Sequence, residues 1–492
     1  MSLVQSVDWV AIAAPVIAAL AGLALLVADL FLPPERKHLL GWGAIAGLTA
    51  AALSLLPLVG DHRATFCLTD TPDVCSYRAD GFTLVVQLLV FGGAVLTALL
   101  SVHDVKETGL PAGEFWFLLL SSVAGAALLP AARDFATLII ALETASLPAF
   151  ALVGLRRGDR LSAEAALKFF LSSVVATAVM LLGVSFVYAA SGSLHFDVIA
   201  DGLAKTDPRL ETLATVGVAL TLVGFAFKTA AVPFHFWVPD TYVGAPVPIA
   251  AFLSAVGKAV GFTGLILVTL LAFPAYHDVW GPVVAVLAAL TMTAGNVAAV
   301  RQRADAPHSA VRLLAWSSVA QAGYLLVPIA AAGWSDDPSR AVGSTLAYAL
   351  MYAVVNLGAF AVVAATGSRR IADQRGLYAA HPLTALALAF FLVNLAGLPP
   401  GVIGLFGKVA VLGTAVDAGL GWLAVVMALN VVVGLYYYLR WTAQLFREPA
   451  KDAAKVRMPR VLGAATAVAA VVALALSGAP QLILKFADQA LL

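Results

Sequence analysis

Residues 226–258 read AFKTAAVPFHFWVPDTYVGAPVPIAAFLSAVGK, an apolar stretch that nevertheless contains Lys228 and Lys258. Pro233 interrupts its first part, and proline removes a backbone hydrogen bond and breaks a helix. Membrane proteins tolerate such breaks where the freed backbone faces protein or water, and discontinuous helices often surround ion sites. The stretch therefore indicates two membrane helices, the first of them broken, beside a polar path.

Composition extends this interpretation to the whole chain. Hydrophobic residues make up 61% of the 492 residues and charged residues only 12%, about half the charged share of an ordinary soluble domain. Apolar stretches long enough to cross roughly 30 Å of hydrocarbon recur throughout. The sequence predicts an all-α integral membrane protein, a single polytopic domain over residues 1–492 with about fourteen transmembrane helices. The predicted spans are 9–31, 39–59, 80–101, 114–131, 133–155, 164–190, 212–235, 246–272, 279–300, 308–332, 340–365, 382–415, 419–443 and 459–484.

Basic residues in the loops predict the orientation. If the N-terminus is outside, the odd-numbered loops face the cytoplasm and hold eighteen Lys and Arg, against six in the even-numbered loops. This excess satisfies the positive-inside rule, so both termini are predicted on the outer side. The first span begins at Trp9 with no basic leader and no cleavage site, which favours a retained helix and the bacterial inner membrane over an organelle.

Glu143 joins, as a candidate buried charge, the four lysines that the count of basic residues in the loops leaves inside the predicted spans: Lys168, Lys228, Lys258 and Lys408. A charge at the centre of a membrane helix costs about 2.5 to 3.5 kcal/mol on insertion scales, so such residues are usually functional. Burial disfavours the charged form of both Lys and Glu, and an opposite charge nearby favours it. These groups can therefore exchange protons near neutral pH, and a row of them at membrane depth predicts a proton relay.

Two of the lysines carry local signals of their own. Lys408 ends NLAGLPPGVIGLFGK (394–408), in which consecutive prolines predict a second broken helix. Lys258 lies between Gly257 and Gly261, a GxxxG pattern that allows a neighbouring helix to approach closely.

Lys168 permits a structural reading as well as a functional one. It follows Glu164 by four residues, the favourable order for a pair on one helix face. It also lies near the start of its span, where a lysine can extend its side chain to the membrane surface. Both readings stay open at this point.

No cofactor or metal site is predicted. Cys67 and Cys75 share the second loop, where a disulfide and two free thiols are both open. Two cysteines cannot hold an iron–sulfur cluster that needs four thiolates, and only His235 lies near a buried position, which disfavours haem. A net charge of +1 without a basic aromatic patch excludes nucleic acid.

Residues 226–258 closely resemble the antiporter-like membrane subunits of respiratory complex I, the proton-translocating NADH:quinone oxidoreductase. Within that group, DTYVGAP (240–246), AEAALKFF (163–170) and the LPPGVIGLFGK run are similar to subunit N. A Lys at position 408 also favours subunit N over subunit M. The similarity covers nearly the whole chain, which shows no long lateral helix at its C-terminus.

The resemblance implies two inverted five-helix repeats, residues 114–272 and 279–443, with the seventh and twelfth helices broken. Helices one to three (1–105) precede them, and helix fourteen (459–492) follows.

The resemblance also implies roles for individual residues. Glu143 and Lys228 would form the charge pair of one half-channel, with Lys258 on the central axis and Lys408 in the second half-channel. The supporting residues would be Glu164, Lys168, His235 and Asp240. His235 and Asp240 would lie at the break in the seventh helix, although Asp240 is also placed to cap the eighth.

The function implied is proton translocation driven by quinone reduction elsewhere in the complex, so the chain is a translocase subunit without a redox centre of its own. NAD, FMN, iron–sulfur clusters and quinone would belong to partner subunits. Subunits M and K are the expected neighbours within the lipid bilayer. The alternative functions are a subunit of a multisubunit cation/proton antiporter and a purely structural scaffold.

Overall fold

A computed structural model describes residues 6–69, 71–449 and 458–485. In these ranges, twelve helical spans are long and apolar enough to cross a membrane, and two shorter apolar helices, Ala13–Asp29 and Pro382–Ala396, accompany them. Each of the fourteen predicted spans overlaps one of these segments, so the predicted all-helical membrane fold is confirmed.

The helices are numbered in chain order. Up to residue 272 they are α1 (Ala13–Asp29), α2 (His38–Leu53), α3 (Gly81–Thr108), α4 (Ala112–Leu128), α5 (Phe135–Val153), α6 (Arg160–Ser191), α7 (Phe196–Ala204), α8 (Glu211–Lys228), α9 (Trp237–Gly244), α10 (Val247–Phe252) and α11 (Lys258–Leu267). The remainder are α12 (His277–Val300), α13 (Ser309–Ala332), α14 (Pro338–Thr366), α15 (Leu377–Ala380), α16 (Pro382–Ala396), α17 (Val402–Asp417), α18 (Gly421–Leu445), α19 (Arg460–Gly478) and α20 (Gln481–Leu484). Two π-helical segments, Leu253–Gly257 and Val268–Ala272, flank α11.

The helices that carry Lys258 and its surroundings form the centre of the molecule. The share of buried residues in the most apolar 18-residue stretch of each span is 94% for α13, 89% for α14 and 83% for the Val247–Ala272 segment. For α6 it is 33%. The central helices are therefore enclosed by protein, while α6 presents most of its surface outward.

Several boundaries differ from the predicted ones. Helix α3 was predicted to end at residue 101 but continues to Thr108, where Gly109 adopts a left-handed conformation (φ 65°) that closes the helix. The fourteenth helix, predicted to reach residue 484, ends at Gly478 and is followed by the short α20; residues 486–492 lie outside the described ranges. Hydropathy does not locate such ends, because a helix can continue beyond the apolar layer until a capping residue stops it.

A hairpin that the sequence did not predict covers one end of the bundle. Strands β1 (Arg63–Cys67) and β2 (Cys75–Ala79) pair antiparallel, and a disulfide joins Cys67 to Cys75, so of the two predicted alternatives the disulfide is present. Tyr77 bridges to Ala132 at the α4–α5 junction. Beside it the buried Arg133 donates to the carboxylate of Asp80, so the hairpin fixes this end of α5.

Both predicted breaks are present. Helix α8 ends at Lys228 and α9 begins at Trp237, with a cis peptide bond before Pro233. Helix α16 ends at Ala396 and α17 begins at Val402, so the predicted single span 382–415 consists of two helices. Side chains bind part of the freed backbone of the first break: the Thr291 hydroxyl accepts from the Val232 amide at 2.9 Å.

Only one glycine of the predicted GxxxG pattern allows a close approach. A Cβ at Gly261 would lie 2.7 Å from the carbonyl carbon and 2.8 Å from the carbonyl oxygen of Lys228, where α11 crosses the end of α8. At Gly257 the nearest atom would be a side-chain carbon of Leu253 on the same segment, 3.5 Å away. The expected close contact therefore depends on Gly261 alone.

A substitution pair tests this contact. Gly261→Ala is expected to destabilise the protein by about 1 to 3 kcal/mol, because the added methyl group meets backbone that cannot yield without moving α8. Gly257→Ala, the matched control, adds the same methyl group without a backbone clash. Thermal unfolding of the detergent-solubilised protein measures the difference, and equal melting temperatures for the two variants would refute the interpretation.

An arginine from a distant loop holds the second part of the first broken helix. Arg369 follows α14, and its guanidinium donates to the carbonyl oxygens of Val243 at 3.3 Å and Ala245 at 3.2 Å, at the C-terminal end of α9. Cations are favoured there because unpaired carbonyls concentrate negative partial charge. Burial, aided by nearby Arg156, lowers the pKa of Arg369 to about 10, so the side chain remains charged at neutral pH.

Arg369→Met is therefore expected to destabilise the protein by about 2 kcal/mol, the range for hydrogen bonds made by a charged donor. Arg370→Met is the control: this exposed neighbour pairs with Asp373 in the same loop, and such surface pairs contribute little. Thermal unfolding again provides the measurement. A loss as large in Arg370→Met as in Arg369→Met would contradict the capping role.

Candidate functional site

The structure brings Glu143 and Lys228 together. Lys228 is the last residue of α8, and its Nζ lies 3.4 Å from Oε1 of Glu143 on α5, the approach expected from the sequence. The ammonium also donates to the hydroxyls of Ser146 at 2.8 Å and Ser173 at 3.0 Å. Glu143 in turn accepts from the Thr177 hydroxyl at 2.9 Å. Lys228 is thus a buried cation with one carboxylate and two hydroxyl partners.

A small cavity extends from this pair toward the next lysine. It has a volume of about 40 Å³, and its lining includes Lys228, Ser146, Ser122 and Gly257. A water molecule needs roughly 10 to 15 Å³ measured in this way, so the cavity has space for on the order of three. Gly257 immediately precedes Lys258 in the chain, so one wall of the cavity lies next to the backbone of the second lysine.

Lys258 is held by a backbone oxygen. Its side chain is 1% exposed, and Nζ donates to the carbonyl oxygen of Ser318 on α13. It follows the π-helical segment Leu253–Gly257, a helix irregularity that is frequent at functional sites. Among the described residues, no carboxylate forms an ion pair with it.

Lys408 uses the end of a broken helix in place of a counter-ion. Its side chain, 4% exposed, donates to the carbonyl oxygens of Leu395 and Ala396, each at 2.7 Å. These are the last carbonyls of α16, where the negative end of the helix dipole favours a cation. The ring of Tyr324 lies 5.6 Å from Nζ, within the range of a cation–π contact.

The predicted supporting residues form a separate, half-exposed group. Lys168 Nζ lies 2.7 Å from both Glu164 and Asp240, so the predicted helix pair exists and is joined by a third residue. Arg312 approaches Asp240 at 3.7 Å. The alternative that Asp240 caps the eighth helix is wrong, because Asp240 lies in the first turn of α9 and α10 begins after Pro246 with no side-chain cap.

His235 lies inside the first break, as expected, and its ring is 5.6 Å from that of Trp316. Its Nδ1 is buried without a hydrogen-bond partner among the described residues. Within those residues, no three His, Cys, Asp or Glu side chains come together as metal ligands would.

Sequence reasoning missed the uncharged groups of the site. The hydroxyls of Ser146 and Ser173 bind Lys228, and a buried group built around Gln321 lies beside Lys408. Only one pattern could have revealed part of it: Tyr348, Tyr352 and Asn356 recur at the four-residue spacing of one helix face.

Comparison with known proteins agrees with this geometry. Residues 132–434 match a family model described as NADH:quinone oxidoreductase/Mrp antiporter, TM. NADH-quinone oxidoreductase subunit N 2 of Streptomyces griseus is 66% identical, over all of this chain and 95% of the relative.

Two solved structures share the fold. A chain of respiratory complex I from Thermus thermophilus, solved with bound aureothin, is 32% identical with a TM-score of 0.78, covering 96% of this chain and 98% of its own. A chain of the Mrp complex from Dietzia sp. has a TM-score of 0.83 but 22% identity, over 97% of this chain and 96% of its own, and shows the fold alone. The identities favour the oxidoreductase over the antiporter alternative, and the chain belongs to the NADH-quinone oxidoreductase subunit N family.

Proposed function

We propose that this chain carries protons through the membrane part of an NADH-quinone oxidoreductase along Glu143, Lys228, Lys258 and Lys408, driven by quinone reduction in partner subunits. The observation that carries the proposal is the Glu143–Lys228 pair at 3.4 Å, together with a cavity lined both by Lys228 and by Gly257, the residue before Lys258. A structural scaffold would not require a charge pair that opens into a cavity.

The position of Glu143 controls whether Lys228 keeps or releases its proton. While Glu143 lies beside Lys228, the carboxylate stabilises the protonated amine against the cost of burial. When Glu143 moves away, that stabilisation is lost and Lys228 releases its proton toward Lys258 through the cavity. A charge change in a neighbouring subunit can drive this step only by interacting differently with the two positions of Glu143.

Glu143 is also placed to face a neighbouring subunit. A quarter of its side chain is exposed, on an α5 surface where Ile140 is 62% and Leu147 53% exposed. A carboxylate in contact with hydrocarbon is costly, so we propose that a protein partner covers this surface, with subunits K and M as the neighbours. NAD, FMN, iron–sulfur clusters and quinone belong to other subunits of the complex.

The two breaks support two related half-channels, residues 114–272 and 279–443. Lys228 lies just before the break between α8 and α9, whereas Lys408 lies after the break between α16 and α17. The ammonium of Lys408 nevertheless binds the last carbonyls of α16, before that break. In both halves the charge therefore lies at the interruption. The bound carbonyls at the second break and the hydroxyls at the first provide equivalent polar surroundings.

We further propose residence in the bacterial inner membrane with both termini outside. Three arginines of the basic, odd-numbered loops lie at one end of the bundle: Arg156, Arg312 and Arg369. Asp104 and Asp240 lie beside them at the same end. The disulfide-bonded hairpin lies in the second loop, one of the even-numbered loops that are predicted on the outer side.

The proton-relay function makes a mutational prediction. Lys228→Ala and Glu143→Gln are each expected to reduce proton pumping and coupled quinone reduction severely in the assembled complex, with Glu143→Asp milder, because the first two remove a charge of the pair. Lys205→Ala and Glu211→Gln, at exposed positions of the same charge types, are the controls. Pumping is measured in vesicles by the quenching of a pH-sensitive dye.

Near-normal pumping by an assembled Lys228→Ala complex would refute the relay. Sodium flux through vesicles that contain this chain without the other respiratory subunits would instead indicate the antiporter function.

The orientation predicts one-sided labelling. A cysteine in Arg370→Cys is expected to react with a membrane-impermeant maleimide only from the cytoplasmic side, and one in Asp207→Cys only from the outside, because the two positions lie in loops of opposite sets. Inside-out and right-side-out vesicles provide the two measurements. Labelling of position 370 from the outside alone would overturn the orientation.

A further inference from the structure

The ammonium of Lys408 is closely surrounded but has no anionic partner. It donates to the carbonyl oxygens of Leu395 and Ala396, each at 2.7 Å, and a Cβ at Gly397 would lie 3.2 Å from its Nζ. An ammonium has three N–H donors, and the carbonyls accept from two of them. No carboxylate forms an ion pair with it in the part of the chain that the structure describes. The ring of Tyr324, 5.6 Å away, is a further neighbour able to stabilise a cation.

Aromatic rings distinguish the three buried lysines. Nζ of Lys228 lies 5.9 Å from the centre of the Phe150 ring, but the carboxylate of Glu143 at 3.4 Å already supplies a full negative charge there. No ring contact of this kind involves Lys258 among the described residues. The face of an aromatic ring is negative and attracts a cation, most strongly where water is excluded. Lys408 is therefore the lysine whose charge depends most on a ring.

A hydrogen bond holds the Tyr324 ring at its other end. Nδ2 of Asn296 on α12 donates to the Tyr324 hydroxyl at 3.0 Å, and both side chains are buried. The ring of Tyr348 packs against that of Tyr324 edge to face, with 6.4 Å between their centres. The hydroxyl anchor and this packing fix the ring in the orientation that turns a face toward Lys408.

Asn296 is itself held by α18. Its Oδ1 accepts from the Tyr437 hydroxyl at 3.0 Å, and its Nδ2 lies 3.0 Å from Oδ1 of Asn430. Hydrogen bonds of this kind commonly join helices within a membrane, and that role explains the Asn296–Asn430 pair. It does not require that the same amide also donate to the tyrosine whose ring covers a buried lysine.

We infer that the Tyr324 ring is the electrostatic partner of the Lys408 ammonium, and that Asn296 is the residue that positions this ring. When Lys408 takes up a proton, its charge faces the ring where Lys228 faces a carboxylate. When the proton leaves, the neutral amine gains little from the ring, so the ring stabilises the protonated form selectively. The inference rests on the proposed relay function and adds the residues that hold the charge at Lys408.

Fluorination of the ring tests the electrostatic role, because each fluorine withdraws electron density from the ring face with little change of shape. Tyr324→Phe and its mono-, di- and trifluorinated forms are introduced into the assembled complex by nonsense suppression. Coupled quinone reduction and pumping are expected to fall stepwise with each added fluorine. The total loss over the series should be on the order of three- to thirtyfold, the range for a buried cation–π contact.

Phe91 on α3 provides the matched control. Its side chain is 0% exposed, and among the described residues no cation lies over its ring. The same fluorinated series at this position should leave the activity level. A level response at position 324, or an equal decline at position 91, would overturn the inference.

Asn296→Leu tests the positioning role, since leucine has a similar volume but cannot donate to the hydroxyl. A several-fold loss of coupled activity is expected in the otherwise wild-type complex. In a Tyr324→Phe complex, which lacks the hydroxyl that Asn296 binds, the same substitution should cause a smaller loss, because interacting residues are not additive. General structural damage would reduce activity by the same factor in both backgrounds, and that result would contradict the positioning role.

If Tyr324→Phe does not assemble, fluorinated tyrosines replace the phenylalanine series with the same expected outcomes. The positioning role is then tested by whether Asn296→Leu flattens their response. A level series at position 324 together with an inactive Lys228→Ala complex would reject the ring contact and leave the proposed function standing. Near-normal pumping by Lys228→Ala would instead reject the proposed function.

Discussion

The ammonium groups of Lys228, Lys258 and Lys408 need oxygen atoms, and hydrocarbon supplies none. Each lysine obtains them from a different source: a carboxylate and two hydroxyls for Lys228, one carbonyl for Lys258, and the end of a helix for Lys408. Only Lys408 takes its oxygens from a helix break, whose last carbonyls are free of hydrogen bonds within the helix. Lys228 and Lys258 take theirs from the helices packed beside them: α5 and α6 for Lys228, and α13 for Lys258.

The oxygen atoms that bind the three lysines differ in how far a helix movement can change them. A carboxylate on another helix can move relative to its lysine, so the charge state of Lys228 can respond to a displacement. The carbonyls that hold Lys258 and Lys408 belong to the helices that frame the site and carry no net charge. Among the described residues, neither Lys258 nor Lys408 has an ion pair that a helix movement could break.

Charges and breaks were predictable from the sequence because each is conspicuous in an apolar stretch. Lys228, Lys408 and the prolines beside them indicate the positions of both broken helices. The hydroxyl partners were not predictable, because serine in a membrane helix commonly bonds its own preceding turn, as Ser185 does with the Leu181 carbonyl. The mistaken alternative for Asp240 has a similar cause: its partners, Lys168 and Arg312, come from helices distant in the sequence.

The anchoring of α5 has a mechanical consequence. Its first turn is capped by Asp134, which accepts from the Thr137 amide, and the adjacent Arg133 is fixed to the hairpin through Asp80. Glu143 lies nine residues beyond the cap, on the order of 14 Å along a helix that rises 1.5 Å per residue. Because the N-terminal end of α5 is fixed, the helix can tilt about that end. A tilt of about 10° then displaces the Glu143 carboxylate by roughly 2 Å over this length. A tilt of this size directed away from α8 would lengthen the 3.4 Å contact between Glu143 and Lys228 without translation of α5 along its axis.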